Sequence, residues 1–324
     1  MRLQTVSFGI LALSLAIAGQ PARIDASAGD KAADVLAQAR KAIGGGKLDS
    51  LKTFSAEART QRNVGTFQIN ADVELALAMP DKYMRSDSSS GGPVNFSSTT
   101  GFSGDRPLAR SGGAAHGGGA MVIQMGPGGP AFGERPTPEQ QAEMDRVALR
   151  AARQDLSRLM LGWFGTAHPS LSVTYAYAGE AESPDGKADV IDVKDADGFN
   201  ARVFIDQQTH LPLMLTYQGP QRRMVTSGGP MVAAGGAQAQ TRQLSDEERK
   251  KMNADVQKQI DQARSQPPTM VEYRLYFSEW TDVDGIKFPM RLQRATAGTT
   301  DEEWTVTKVK VNPKIDLKRF DSQS

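Results

Sequence analysis

From Phe67 to Met79 the odd positions read Phe, Ile, Ala, Val, Leu, Leu, Met, and the even ones Gln68, Asn70, Asp72, Glu74, Ala76 and Ala78. Side chains alternate across a strand and not along a helix, so this run predicts one long strand with a dry face and a wet face. A lone strand cannot bury such a face, and the chain must supply partners. Pro80-Asp81 ends the run, and 82–87 and 94–102 read as two further short strands. The alternation returns after residue 170, at Val173, Tyr175 and Tyr177, at Ile191 and Val193, and at Phe199, Ala201, Val203 and Ile205. Leu211, Leu213, Leu215 and Tyr217 continue it, followed by Val271 to Phe277, Ile286 to Leu292 and Trp304 to Val311. Between these runs stand Ser183-Pro184-Asp185-Gly186, Asp195-Ala196-Asp197-Gly198 and Asp282-Val283-Asp284-Gly285, the turn chemistry of sequential antiparallel hairpins. The expected fold is α+β: a curved antiparallel sheet of about 10–11 strands, covered by helices.

Three segments change the period. Asp30 stands before Val35, Leu36, Ala39 and Ile43, and Gly44-Gly45-Gly46 follows, which predicts a capped amphipathic helix. Thr137-Pro138-Glu139 opens a helix reaching Phe164, whose bulk sits at its end in Leu156, Leu159, Met160, Trp163 and Phe164. Ser245 and Glu248 form a capping box for a helix over 245–264. Residues 111–135 and 219–243 are Gly-rich with few large apolar groups, and both are expected to be mobile loops.

The N-terminus reads as a secretory signal over residues 1–28: Arg2, an uncharged apolar stretch from Val6 to Ala18, and small residues that place cleavage between 18 and 28. The remainder, 29–324, is expected to be a single domain in a bacterial periplasm. With no Cys, neither disulfides nor a lipidated Cys anchor is available.

Lys plus Arg (38) nearly equals Asp plus Glu (37), which removes the basic footprint of a nucleic-acid binder. The three histidines, His116, His168 and His210, have no second ligand at helical or hairpin spacing and read as solvated loop residues. The Asp-rich turns at 195 and 282 resemble the start of a calcium loop, but Asp206 and Gln293 stand where its closing Glu belongs, so both read as hairpin turns. No nucleophile, metal or phosphate motif is present, and neither an enzyme nor a cofactor is expected.

The dry faces of the strands carry nearly twice as many large apolar residues as the three helices offer. The surplus implies an apolar cavity between sheet and helices or, if the sheet curls on itself, a filled core. Candidate cavity residues are Leu75, Leu77, Leu213, Leu215, Tyr273, Leu275 and Phe288, all on the dry parity of their strands. Leu156, Leu159, Met160 and Trp163 are the candidate lid.

Met-Pro-Asp-Lys-Tyr-Met-Arg (79–85), Phe-Ser-Gly-Asp-Arg (102–106), Asp-Gly-Ile-Lys-Phe-Pro (284–289) and Val-Asn-Pro-Lys-Ile-Asp (311–316), in that order behind an N-terminal helix, resemble the outer-membrane lipoprotein-sorting carriers, the LolA/LolB-like family. The resemblance implies an unclosed half-barrel with a helical lid over a cavity for lipid acyl chains. It further implies a monomeric, non-catalytic carrier working between an inner-membrane donor complex and an outer-membrane acceptor. An envelope-stress or lipid-sensing module on the same fold, and a structural envelope protein with a filled core, are the alternatives.

Overall fold

The computed structural model describes residues 26–64, 67–89, 96–112, 122–124, 136–184, 186–221, 224–226 and 269–321, with single positions between 245 and 258. Most of the expected signal, 1–25 of 1–28, most of the two Gly-rich stretches and most of the expected helix 245–264 lie outside the described residues.

Helix α1 (Ala26–Ile43) buries Ala32, Val35, Leu36, Ala39 and Ile43, the stripe a 3.6-residue period demands. It begins before Asp30, so Asp30 is not its cap. Its end is where the glycines predict: the Gly44 and Gly45 amides both donate to the Arg40 carbonyl, with Gly45 left-handed at φ 54°. A short α2 (Gly46–Asp49) follows. The strands are β1 (Thr53–Val64), β2 (Phe67–Ala78), β3 (Lys82–Ser89), β4 (Phe96–Ser103), β5 (Arg106–Gly112) and β6 (Val122–Gln124) before helix α3 (Pro138–Phe164). After it come β7 (Thr174–Ser183), β8 (Gly186–Lys194), β9 (Asn200–Asp206), β10 (Pro212–Pro220), β11 (Met224–Thr226), β12 (Met270–Val283), β13 (Ile286–Thr296) and β14 (Thr299–Val311).

Twelve strands form one antiparallel sheet in the order β5-β4-β3-β2-β1-β14-β13-β12-β10-β9-β8-β7, with β5 and β7 as free edges. The first and last long strands pair in the middle, Phe54 opposite Val311. Helix α3 touches β4 and β5 at one edge and β9 and β10 toward the other. Within one turn of α3, Arg153 bonds Gly104 and Asp105 between β4 and β5 while Arg150 lies beside Gly198 between β8 and β9, so the sheet curls around the helix. The architecture is therefore the unclosed half-barrel expected from the sequence, with more strands than the period-two runs announce.

The hairpin signals hold where they are strongest. Asp284 and Gly285 take φ 54° and 81° between the paired Val283 and Ile286, the doubly left-handed turn that matches strand twist. Asp195 braces its turn by accepting from the Asp197 and Phe199 amides.

Two expectations are corrected. The Gly-rich stretches are not wholly free loops, because β6 from one pairs with β11 from the other, Ile123 opposite Val225. Leu213 does not face the dry side. The β9–β10 register shifts between Pro212 and Met214, so Leu211 and Leu215 are buried while Leu213 is 42% exposed. One irregularity in pairing reverses the parity of a residue that counting along the strand places inside.

Candidate functional site

Every residue of α3 from Leu156 to Phe164 is buried, and none from Pro138 to Asp155 is. This buried last third of the helix packs into the half-barrel. Trp163 lies 5.0 Å from Phe288 and 6.0 Å from Phe54, ring centre to ring centre, and Phe54 lies 5.1 Å from Phe288 and 5.4 Å from Phe164. Gly162 lets the Phe277 ring stand directly against the helix backbone, in space a Cβ would occupy. Around Trp163, aromatic side chains fill the space between sheet and helix.

The candidate residues fall accordingly. Leu75, Leu77, Leu215 and Phe288 are inward and at most 2% exposed. Leu275 is half-buried against the same core. Tyr273 is buried, stacks on Tyr217 at 4.9 Å, and donates its hydroxyl hydrogen to the Pro220 carbonyl. Leu213 points away from the others. Leu156, Leu159 and Trp163 belong to the core, and only Met160 of the candidate lid reaches open space.

That open space is a cleft of about 580 Å³ at the foot of α3. One wall is the turn after α1, with Leu48 and Leu51 inside and Arg40 and Asp49 at the rim. Met160 and Phe164 close it from α3, Met79 from the end of β2, and Leu171, Val173 and Tyr175 from the run into β7. Arg40 donates from Nη2 to Asp49 at 2.8 Å and, at 3.4 Å, from Nη1 to the Phe164 carbonyl. The Tyr175 hydroxyl accepts from the Ala167 amide. The volume lies within the range of small-molecule sites, and the lining is mixed: Leu48, Leu51, Leu171 and Val173 share it with Arg40, Asp49, Thr166, His168, Ser172 and Tyr175.

Sequence reasoning missed most of this lining, and His168 with it. His168 borders the cleft but is 1% exposed, not a solvated loop residue. Its Nδ1 accepts from the Ser170 amide, which places the ring proton on Nε2, a buried atom turned toward the Pro80 backbone. Burial, reinforced by nearby Arg153, lowers its pKa from 6.5 to about 4. The folded state thus prefers the neutral ring. The stability this contributes is full above pH 6.5 and is lost as pH falls toward 4. Wild type is expected to lose about 2–3 kcal/mol from this group between pH 6.5 and 4.5, in addition to whatever the carboxylates that begin to titrate at the acid end contribute to wild type and variant alike. Urea unfolding across that window should show the loss in wild type and not in His168→Gln; equal slopes would contradict it.

A second cluster lies on the inner face of the sheet. Glu302 of β14, 2% exposed, meets Arg294 at 2.7 Å, Arg62 at 2.8 Å and Arg85 at 3.6 Å. Burial opposes its charge, but Arg294, Arg85 and Arg62 together outweigh burial and hold the carboxyl well below the usual range. Asp87 pairs with Arg85 and Asp301 with Arg294, and the Arg85 guanidinium lies 4.5 Å over the Trp304 ring. The acids match the guanidiniums in number, so this is a neutral hub spanning β1, β3, β13 and β14.

No protein-family model matches the chain, and no curated protein matches it by sequence. Solved structures to which the chain is similar include a LolA superfamily protein from Nitrosomonas europaea, at 7% identity over 90% of this chain and 97% of that one, TM-score 0.45. An outer membrane lipoprotein-sorting protein domain from Vibrio parahaemolyticus matches at 10% identity over the same shares, TM-score 0.42. A DUF1329 family protein from Desulfovibrio piger matches at 9% identity, again over 90% and 97%, TM-score 0.39.

Proposed function

We propose that this protein is a periplasmic, non-catalytic binder of lipidated or otherwise apolar ligands, which it carries between a donor and an acceptor in the cell envelope. The observation that carries this reading is the cleft at the foot of α3: an opening of about 580 Å³ walled by Leu48, Leu51, Met79, Met160, Phe164, Leu171 and Val173. An acyl chain gains about 0.8 kcal/mol per methylene removed from water, so burial alone holds it and release is to another apolar site. The export-type N-terminus and the motif order shared with lipoprotein-sorting carriers support the same reading. On this reading the buried last third of α3, Leu156 to Phe164, is a fixed plug, and the preceding two thirds, Pro138 to Asp155, is the part that moves as a lid. The inner face at Leu75, Leu77, Leu215, Tyr273, Leu275 and Phe288 becomes ligand surface only when the plug yields.

A fluorescent fatty-acid probe is expected to bind the purified protein, and Val173→Glu to weaken it at least tenfold while leaving the melting temperature within about 2 °C of wild type, since Val173 is only half-buried. Unchanged binding in the variant would move the ligand elsewhere. No binding by wild type would favour a structural envelope protein with a filled core.

A further inference from the structure

The two walls of the cleft differ in charge. The segment 40–52 carries Arg40, Lys41, Lys47 and Lys52 against a single carboxylate, Asp49, whereas the facing segment 166–175 contains no Asp, Glu, Lys or Arg. Lys41 and Lys52 are exposed, and Lys47, also exposed, donates to the Asp284 carbonyl. Within the cleft itself only Arg40 and Asp49 are charged, and both stand at the rim. The Arg40 side chain is 32% exposed and that of Asp49 is 71% exposed, so their ion pair is open to water. Arg40 has one short hydrogen bond, to Asp49, and one long contact from Nη1 to the Phe164 carbonyl. Its position is set by the fold: Arg40 is on the last turn of α1, beside Gly165 where α3 ends.

A guanidinium held at the mouth of a cleft whose lining includes Leu48, Leu51, Leu171 and Val173, with Lys41, Lys47 and Lys52 exposed on the segment that carries it, is complementary to an anionic oxygen group attached to an apolar chain. Asp49 occupies the guanidinium in the absence of ligand, and a screened, exposed carboxylate is readily exchanged for another. We propose that the ligand of this cleft is a single-headed anionic amphiphile, a carboxylate or phosphate monoester on a hydrocarbon chain. Its head replaces Asp49 on Arg40, and its tail runs between Leu48 and Leu51 on one side and Leu171 and Val173 on the other. This rests on the cleft being the apolar-ligand site, and adds that the head, not only the tail, is selected.

The test is competition against a fluorescent acyl probe by hexadecanoate, hexadecyl phosphate, hexadecanol and inorganic phosphate. Both anionic amphiphiles are expected to bind about tenfold more tightly than hexadecanol, the margin of a charge-assisted contact. Inorganic phosphate alone should not compete. Arg40→Gln is expected to erase the preference while leaving hexadecanol affinity in place, and Arg40→Lys to restore part of it. Asp49→Asn, a change at an exposed side chain, is expected to raise hexadecanoate affinity by releasing Arg40. Equal affinity of wild type for hexadecanoate and hexadecanol would overturn head selection while leaving the apolar-ligand reading intact. So would a parallel loss of both in Arg40→Gln, or competition by inorganic phosphate as strong as that by hexadecyl phosphate. Failure of every amphiphile to bind would overturn the apolar-ligand reading and this inference together.

Discussion

Glu302→Ala is expected to destabilise the fold by about 3–5 kcal/mol, the cost of removing one partner from a buried ionic cluster. The carboxylate is 2% exposed and takes three guanidiniums. Arg85 and Arg294 retain Asp87 and Asp301 when it goes, but among the described residues Arg62 retains no acid partner, and its Nε is buried with no hydrogen-bond partner among them. The neighbouring residue provides the control. Glu303 pairs with Arg291 at 2.9 Å, with both side chains about two-fifths exposed, so Glu303→Gln should cost no more than about 1 kcal/mol. Two adjacent glutamates on one strand should thus differ several-fold, because alternation turns one inward and the other out. Urea unfolding at neutral pH measures both. Because the folded-state pKa of Glu302 is depressed, its contribution is present above the ordinary carboxylate value of 4.5 and declines as pH falls below it. The gap between wild type and Glu302→Gln should therefore narrow below pH 4.5. A gap that persists undiminished at lower pH would show that shape, not charge, holds the hub together.

Trp163→Ala is expected to cost about 3–5 kcal/mol as well, by a different mechanism. The indole is 1% exposed and wedged among Phe54, Phe164 and Phe288, and close-packed aromatic neighbours relax only partly into the void it leaves. Trp163→Phe should cost at most about 1.5 kcal/mol. It keeps a ring in the wedge and removes the buried indole N–H, which has no hydrogen-bond partner among the described residues. Thermal unfolding of the pair separates a packed plug from a loosely seated lid: a seated plug gives the large difference, and equal small losses would show that the helix end is not part of the core. The alanine variant, if it folds, should also take up a small apolar probe inside the half-barrel, next to Leu77 and Phe288, where wild type has no room.

Period-two alternation is a property of the pleated backbone, and wherever one face is apolar it is legible in a single chain. That is why β2, β8, β9, β12 and β13 stand out in the amino-acid order, and why the Asp284-Gly285 turn announces its hairpin. β1 does not stand out. Its inward residues after Phe54 are Ala56, Ala58, Thr60 and Arg62, small and then charged, so no apolar rhythm marks a strand that pairs with both β2 and β14. β5, with Leu108 as its single buried residue, is silent for the same reason.

Periodicity and turn chemistry were enough to establish a chain built as an antiparallel sheet with amphipathic helices, and to show that its apolar surface exceeds what the helices cover. Tertiary pairing settled how that surplus is spent. The sheet curls until its own rings and the end of α3 fill the interior, leaving a cleft beside the plug instead of a chamber behind it. The Arg62–Arg85–Arg294–Glu302 hub and the cleft lined by residues 40–51, 79 and 160–175 each join positions far apart in the chain. No local pattern encodes them, because a side chain's parity follows from its own strand, whereas its neighbours follow from register, bulges and curvature, which are set only when distant segments pair.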